Sequence, residues 1–325
     1  MKILIVKLSS LGDVVHAMPA VQDILACVPG AEVDWVVERG FAPLVRRCRG
    51  VRGVIECDLR RWRKSPLSGQ TRAQWRAFRE ALRHQAYDAV IDMQGLTKSA
   101  LVARTAKVAA GGKRFALANQ TEGSSYEAPT RWVADVAIPV ASHVHAVTRS
   151  RELSARALGY SVPESMSFGL ASPAQAASAV LSRCIAFVHG TSRDDKLWPE
   201  ANWIALGRRL MDEGCTIGLP QGSDDERERG ERIAAALGPA ASVWPRMDLG
   251  ALTDRLASCA GVVGVDSGLS HIAVALDLPH VQLYNFDTAW RTGPFDSARQ
   301  TAVFAQPTPS LDAVLHAWTQ VRPAR

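Results

Sequence analysis

After its first two residues the chain reads Ile3-Leu4-Ile5-Val6-Lys7-Leu8-Ser9-Ser10-Leu11-Gly12-Asp13. The four consecutive apolar residues predict a buried parallel strand, and the small residues after them allow a tight turn into a helix. Ligands of open α/β sheets bind at such strand ends. Asp13 is therefore either an ordinary helix cap or a carboxylate that faces a ligand.

The second half of the chain contains a similar junction at residues 184–200. Its apolar run ends at Gly190 and is followed by hydroxyls, charges and a Trp-Pro pair that opens a helix, with Pro199 near the first helical position. We therefore expect a second sheet that also has polar residues at its carboxyl edge.

A third junction lies at residues 261–273, where an apolar strand pattern ends in Asp266-Ser267-Gly268 and a helix begins at once. The start of a helix carries about half a positive charge and can bind an anion such as a diphosphate. A capped turn, with Ser270 facing the core and His271 in an ordinary hydrogen bond, explains the same residues equally simply.

Strand patterns alternate with helix patterns along the whole chain, which predicts α/β domains with parallel sheets. At 325 residues the chain exceeds the ~150 expected for one domain, so two domains are predicted. The weakest patterning spans residues 159–182 and places the boundary near residue 170. Residues 111–129 are predicted to form a mobile loop. The predicted strands lie at 3–6, 33–37, 54–57, 89–93, 134–138, 185–189, 216–219, 261–265 and 281–284.

Several protein classes are disfavoured by the sequence. No stretch approaches the ~20 apolar residues of a membrane span, and no signal peptide is recognisable, so a cytosolic protein is expected. The glycine motifs of dinucleotide-binding and P-loop proteins are absent, as is the G-x-S-x-G nucleophile motif. The six cysteines lie far apart, which predicts neither a disulfide framework nor a metal site.

The net charge of +6 is concentrated in one region. Residues 46–83 contain twelve basic residues and three acidic ones, and the densest part is Arg60-Arg61-Trp62-Arg63-Lys64. Such a stretch can be a solvated face, or it can bind nucleic acid, a phosphorylated lipid surface or a phosphosugar.

Five segments together resemble the heptosyltransferase I family of bacterial lipopolysaccharide core assembly, in matching order over nearly the whole chain. They are residues 7–16, 60–64, 89–100, 191–199 and 265–271. The resemblance implies the GT-B fold, in which two Rossmann-like parallel-sheet domains face each other across a cleft. Residues 1–170 would bind the acceptor and residues 171–325 the nucleotide sugar, and the last helix could pack back on the N-terminal domain.

The family implies transfer of L-glycero-D-manno-heptose from ADP-heptose to a Kdo hydroxyl of Kdo2-lipid A, with inversion of the anomeric centre. It also implies a peripheral protein at the cytoplasmic face of the inner membrane, with no metal, no cofactor and no nucleic-acid partner. The basic residues 60–64 would then contact lipid A phosphates and Kdo carboxylates.

The resemblance also implies roles for individual residues. Asp13 matches the family's general base, and Lys196 would stabilise the leaving ADP. The expected donor-binding residues are Thr191, Ser192, Lys196, Glu226, Met247, Asp266, Ser267, Gly268, Leu269 and His271. The expected acceptor-binding residues are Lys7, Ser10, Gly12, Arg60, Arg61, Arg63, Lys64 and Gln94.

Other functions remain open. One is a related transferase that adds the second heptose or uses another ADP- or UDP-sugar. This alternative stays open because the chain departs from the family pattern at residues 285–290, which affects the expected nucleotide pocket. Another is a non-enzymatic two-lobed ligand-binding protein, which would normally be exported, whereas no signal peptide is recognisable. A third is a nucleic-acid binder, but few aromatic residues accompany the basic stretch.

Overall fold

The computed structural model describes residues 1–170, 183–295 and 297–322. The chain divides into two compact units, Met1–Leu170 and Ala171–Arg325, and each contains one parallel six-stranded sheet. The predicted α/β class is therefore confirmed. Residues 171–182, the second part of the weakly patterned segment, lie outside the described residues.

The first unit has the strand order β3-β2-β1-β4-β5-β6. Its strands are β1 (Lys2–Val6), β2 (Glu32–Glu38), β3 (Val51–Cys57), β4 (Tyr87–Asp92), β5 (Val108–Leu117) and β6 (Val136–Ile138). Its helices are α1 (Leu11–Cys27), α2 (Ala42–Val45), α3 (Leu59–Trp62), α4 (Gly69–Arg83), α5 (Thr97–Thr105), α6 (Thr130–Val133) and α7 (Ala146–Leu158). The apolar residues of β1 are fully buried, as expected for a central parallel strand.

The second unit repeats this arrangement, with the order β12-β11-β10-β7-β8-β9. Its strands are β7 (Cys184–Val188), β8 (Thr216–Leu219), β9 (Ala241–Val243), β10 (Gly261–Val265), β11 (His280–Tyr284) and β12 (Gln300–Phe304). Its helices are α8 (Glu200–Asp212), α9 (Asp224–Leu237), α10 (Leu249–Ala257), α11 (Gly268–Ala275), α12 (Ala289–Thr292) and α13 (Leu311–Val321).

Strand order reverses at the β1–β4 pair in the first sheet and at the β7–β10 pair in the second. Val6 lies opposite Asp92, and Val188 lies opposite Gly264. Segments that follow these strands therefore leave each sheet side by side. In open α/β sheets this is the position where ligands bind.

Every strand predicted from the sequence is present, but β5, β9 and β12 were not predicted. β5 corrects the first part of the mobile loop predicted at residues 111–129, because the strand extends to Leu117 and its residues 113–117 pair with β4 or β6. Gly112 is required there, since a Cβ at this position would lie 2.8 Å from the Tyr87 carbonyl oxygen. Two adjacent glycines and two basic residues obscured the strand pattern.

The last helix, α13, packs on the second sheet. Val314, Ala317, Trp318 and Val321 are buried in the core formed by β7, β10 and β11. Gly261 leaves room for the Trp318 ring, because a Cβ would lie 2.4 Å from it. The apolar face of α13 is therefore covered by its own unit, and the expectation that this helix packs back on the N-terminal domain stays a prediction.

Among the helices of the described residues, none combines the length and apolarity needed to cross a bilayer.

Candidate functional site

Asp13 occupies the first turn of α1 and serves both as a cap and as a charged partner. The backbone amide and the hydroxyl of Ser10 donate to its Oδ2, at 3.2 and 2.9 Å. Its Oδ1 lies 3.5 Å from Lys7 Nζ and 3.5 Å from Arg149 Nη2. Asp13 is thus the capping-box partner of the N-cap Ser10, and the interpretation that it faces a ligand stays a prediction.

The electrostatic setting of Asp13 keeps its carboxyl group ionised. Burial by itself would raise the pKa, but Lys7 and Arg149 hold the pKa of Asp13 well below its ordinary value. The side chain is nevertheless 35% exposed, so a ligand can reach it. Lys7 is buried, and burial lowers the pKa of its ammonium group although Asp13 acts in the opposite direction.

The loops after β1 and β4 are joined by polar contacts. Gln94 Oε1 accepts hydrogen bonds from the amides of Leu8 and Ser9, both at 3.1 Å. Lys7 Nζ donates to the Met93 carbonyl oxygen at 3.1 Å. Lys7, Ser10 and Gln94, with Gly12 in the same helical turn as Asp13, are therefore brought together as predicted from the sequence.

Asp92, at the end of β4, holds the loop that follows this strand through three hydrogen bonds. Its Oδ1 accepts from the amides of Gln94 and Gly95 at 2.9 and 3.3 Å, and its Oδ2 accepts from the Ser99 hydroxyl at 2.9 Å. Burial raises the pKa of Asp92 to about 6 despite these hydrogen bonds. The sequence analysis did not single out Asp92 as a functional residue.

The raised pKa of Asp92 makes stability depend on pH. Because the folded state holds this proton more tightly than the unfolded chain, stability falls as pH rises from 3.8 to about 6. The expected contribution is ~3 kcal/mol in the free energy of unfolding. Asp92→Asn keeps an oxygen for the two amides and removes this contribution. Urea denaturation across that range should give variant and parent curves that diverge; parallel curves would contradict the assignment.

The basic stretch predicted to bind the acceptor lies around α3. Arg60, Arg61, Arg63 and Lys64 are all exposed, whereas Trp62 is buried with its ring centroid 5.6 Å from that of Trp75. None of the four cations forms an ion pair with Asp13 in the part of the chain that the structure describes. They form a basic surface of the first unit.

In the second unit, Asp266 is the centre of the candidate site. It directly follows β10 and is buried. Lys196 Nζ donates to Asp266 Oδ2 at 2.6 Å, and His271 Nε2 lies 3.5 Å from Oδ1. The Thr191 hydroxyl donates to the Asp266 carbonyl oxygen at 2.9 Å. The structure therefore brings together four of the residues predicted from the sequence.

The charge of Asp266 is stabilised by its neighbours. Burial would raise its pKa, but hydrogen bonding to His271 and the charge of Lys196 hold the pKa below its ordinary value. Ser267 is the N-cap of α11, and its Oγ is buried with no hydrogen-bond partner among the described residues. Gly268 and Leu269 open α11, where backbone amides have no partner within the helix.

The other predicted donor residues, Glu226, Ser192 and Met247, have no hydrogen bond to Asp266 among residues 183–295. Glu226 Oε2 accepts from the Gly222 amide at 2.6 Å, and a Cβ on Gly190 would lie 2.4 Å from Glu226 Oε1. Glu226 therefore lies against the segment that follows β7. Ser192 is exposed and Met247 is half-buried.

Two positioning residues were missed by sequence analysis. Arg149 lies on α7 and donates to Thr121 Oγ1 at 2.9 Å while it faces Asp13; no local motif could have identified it. Asn285 follows β11, and its Nδ2 donates to the carbonyl oxygens of Asp195 and Leu197 at 2.9 and 3.0 Å. It thereby holds the turn that carries Lys196, and its place at a strand end was a usable signal.

Residues 75–314 match the family model of glycosyltransferase family 9 (heptosyltransferase). The chain is 40% identical over 296 residues to the lipopolysaccharide heptosyltransferase 1 of Pseudomonas aeruginosa, covering 91% of this chain and 81% of that protein. It also resembles the solved Escherichia coli heptosyltransferase WaaC with ADP, with a TM-score of 0.86, 36% identity and coverage of 97% and 98% of the two chains. The same E. coli protein with ADP-2-deoxy-2-fluoro heptose gives a TM-score of 0.82 at 37% identity, with the same coverage.

Proposed function

The chain belongs to glycosyltransferase family 9, the heptosyltransferases, and from this premise we propose that it moves heptose from ADP-heptose to the Kdo of Kdo2-lipid A. Its two α/β domains have the GT-B fold. The observation that carries the proposal is the similarity, over nearly the whole chain, to a lipopolysaccharide heptosyltransferase 1. The E. coli structures with ADP and with a fluorinated ADP-heptose support the choice of donor.

Asp13 is the proposed general base. As the acceptor hydroxyl oxygen bonds to C1 of the heptose, the bond from C1 to the ADP oxygen breaks and the hydroxyl proton passes to the carboxylate. A base positioned for this transfer contributes ~10²–10⁴ in rate. Its ionised state and partial exposure suit the role.

A carboxylate with a low pKa is a weak base, but binding of the acceptor can raise the pKa of Asp13. Lys7 and Arg149 lower the pKa of Asp13 because they lie beside it. Acceptor carboxylates bound near Asp13 would oppose the effect of these two cations, raise the pKa of Asp13 and so strengthen the base.

The leaving ADP develops negative charge that needs stabilisation. We assign this role to Lys196, to the hydroxyls of Thr191 and Ser192, and to the amides at the start of α11. Ser267 adds a buried hydroxyl that has no partner among the described residues. Glu226 and Met247 are proposed to contact the adenosine of the donor, because they match family positions with that role.

The exposed cations around α3 are proposed to bind the phosphates and carboxylates of the acceptor at the cytoplasmic face of the inner membrane. Arg61→Ala combined with Arg63→Ala is expected to raise the acceptor KM ~10-fold or more, since charge-assisted hydrogen bonds contribute ~1.5–3 kcal/mol each when well formed. The donor KM should stay near its parent value. Initial rates with each substrate varied in turn measure both constants.

An equal rise in both KM values in the Arg61 and Arg63 variant would contradict the acceptor role. Arg208→Ala with Arg209→Ala, on the exposed side of α8, is the matched control because it removes the same number of surface cations from the other unit.

The proposed reaction is tested by a donor panel. The purified protein is incubated with Kdo2-lipid A and one donor at a time, chosen from ADP-heptose, other ADP-sugars and UDP-sugars. The masses of the products are then measured by mass spectrometry. One added heptosyl residue with ADP-heptose alone is the expected result. Product only from a UDP-sugar, or only from an acceptor that already carries one heptose, would favour the related transferases. Bound donor without any product would favour a ligand-binding protein.

A further inference from the structure

The first unit contains a cavity of about 500 Å³ whose apolar walls have no role in the proposed function. Its apolar walls include Trp62 and Trp75, with Leu59, Leu101 and Val102 from the neighbouring helices. Leu101 remains 55% exposed. A cavity of this size falls in the range that holds small ligands, and an exposed leucine on its wall leaves part of the apolar lining open to solvent.

Cations surround this apolar cavity. Arg60, Arg63, Arg72 and Lys98 also line it, and Glu38 is the acidic residue among the lining residues. Burial raises the pKa of Glu38, which makes the carboxyl group a weaker acid. An apolar volume with four cations around it is complementary to an amphiphile that has a hydrocarbon chain and an anionic head.

The cavity lies beside the loop that precedes Asp13. Lys98 Nζ lies 3.4 Å from the Ser9 hydroxyl, and the Glu38 amide donates to the Leu8 carbonyl oxygen at 3.1 Å. Two residues that line the cavity therefore contact the segment that precedes the proposed base. This continuity points to the acceptor rather than to an unrelated lipid.

We propose that the cavity binds the first part of an acyl chain of the acceptor lipid, while the anionic head of the same molecule lies on the surrounding cations. The inference rests on the proposed function and adds a lipid subsite to it. The protein would then recognise the acyl chain of its acceptor as well as the sugars. Deacylated acceptor should therefore bind more weakly than acylated acceptor.

The first test measures binding without catalysis. Hexyl and decyl phosphate, kept below micelle-forming concentrations, are titrated into the full-length protein while tryptophan fluorescence is recorded. Each buried methylene tightens binding ~4-fold, so decyl phosphate should bind at least ~10-fold more tightly than hexyl phosphate even with incomplete burial. Leu101→Gln should remove most of this gain. Equal affinities for the two phosphates would overturn the inference.

The matched control is Leu67→Gln, which alters a leucine that is 78% exposed and does not line the cavity. It should bind decyl phosphate as the parent does. If both variants weaken binding equally, the chain is held by general apolar surface rather than by the cavity, and the inference fails. Circular dichroism checks that both variants fold, and both replaced leucines are largely exposed.

The second test uses the reaction. The ratio of acceptor KM for deacylated and acylated Kdo2-lipid A should exceed ~10 in the parent and fall several-fold in Leu101→Gln, through a higher KM for the acylated form alone. An unchanged ratio with normal turnover would refute the lipid subsite and leave the proposed function intact. Absence of heptose transfer to either acceptor would instead refute the proposed function, while the phosphate titration would still decide the cavity.

Discussion

Asp13→Asn is expected to lower the kcat of heptose transfer by about 10²–10⁴-fold while ADP-heptose affinity stays near the parent value. Asparagine keeps the shape of the side chain and an oxygen that can accept from Ser10, so α1 retains its cap. What it loses is the negative charge and the ability to take a proton. Lys7 also loses its counter-charge, which favours its neutral form further.

The experiment measures kcat with saturating acceptor and, separately, the calorimetric affinity for ADP-heptose. Asp135→Asn is the control, because this aspartate is 48% exposed and pairs with Arg114 away from the candidate site. A variant at Asp13 whose kcat lies within about tenfold of the parent falls short of the usual general-base loss and removes Asp13 from that role. A thermal denaturation curve separates loss of chemistry from loss of fold.

Lys196→Ala is expected to weaken ADP binding by about 10–100-fold, since hydrogen bonds between charged groups contribute ~1.5–3 kcal/mol. It should also lower kcat by ~10²–10³, the usual cost of removing one donor to a developing anion. Lys196 is the sole lysine among residues 171–325. Calorimetry with ADP gives the affinity, and steady-state rates give kcat.

The ion pair with Asp266 calls for a second variant. Lys196→Ala leaves a buried carboxylate with one charged partner fewer, which by itself destabilises the fold. Lys196→Ala combined with Asp266→Asn removes that unpaired charge. If Lys196 binds the diphosphate, the double variant regains stability but not ADP affinity. Recovery of parent affinity in the double variant would mean that Lys196 only neutralises Asp266. Arg209→Ala, an exposed cation on α8, serves as the control.

The central strands were predictable because their physics is local. β1, β7 and β10 are buried on both faces, so they appear in the sequence as continuous apolar runs. β5 was not predictable because it contains Gly111, Gly112, Lys113 and Arg114, and its pairing partners β4 and β6 stabilise it despite this composition. The strands β9 and β12 were also not predictable, because they are stabilised by pairing with β8 and β11, which are distant in the sequence.

Among the candidate site residues, some could likewise be identified from local sequence and others depend on tertiary packing. Residues in the segments that follow strands could be singled out from the sequence, because parallel strands bring their carboxyl ends to one edge of a sheet. Asp13, Thr191 and Asp266 are examples. Arg149 could not be found, because its relation to Asp13 depends on how α7 packs against α1. The raised pKa of Asp92 likewise follows from complete burial, which no local pattern reveals.

We propose that this chain transfers heptose in a single inverting displacement with a carboxylate as base. The most direct measurement is the NMR spectrum of the anomeric centre in the product formed from ADP-L-glycero-β-D-manno-heptose and Kdo2-lipid A. We expect an α-linked heptose on Kdo and release of one ADP for each heptose transferred. A β-linked product, or release of ADP without a new glycosidic bond, would contradict it.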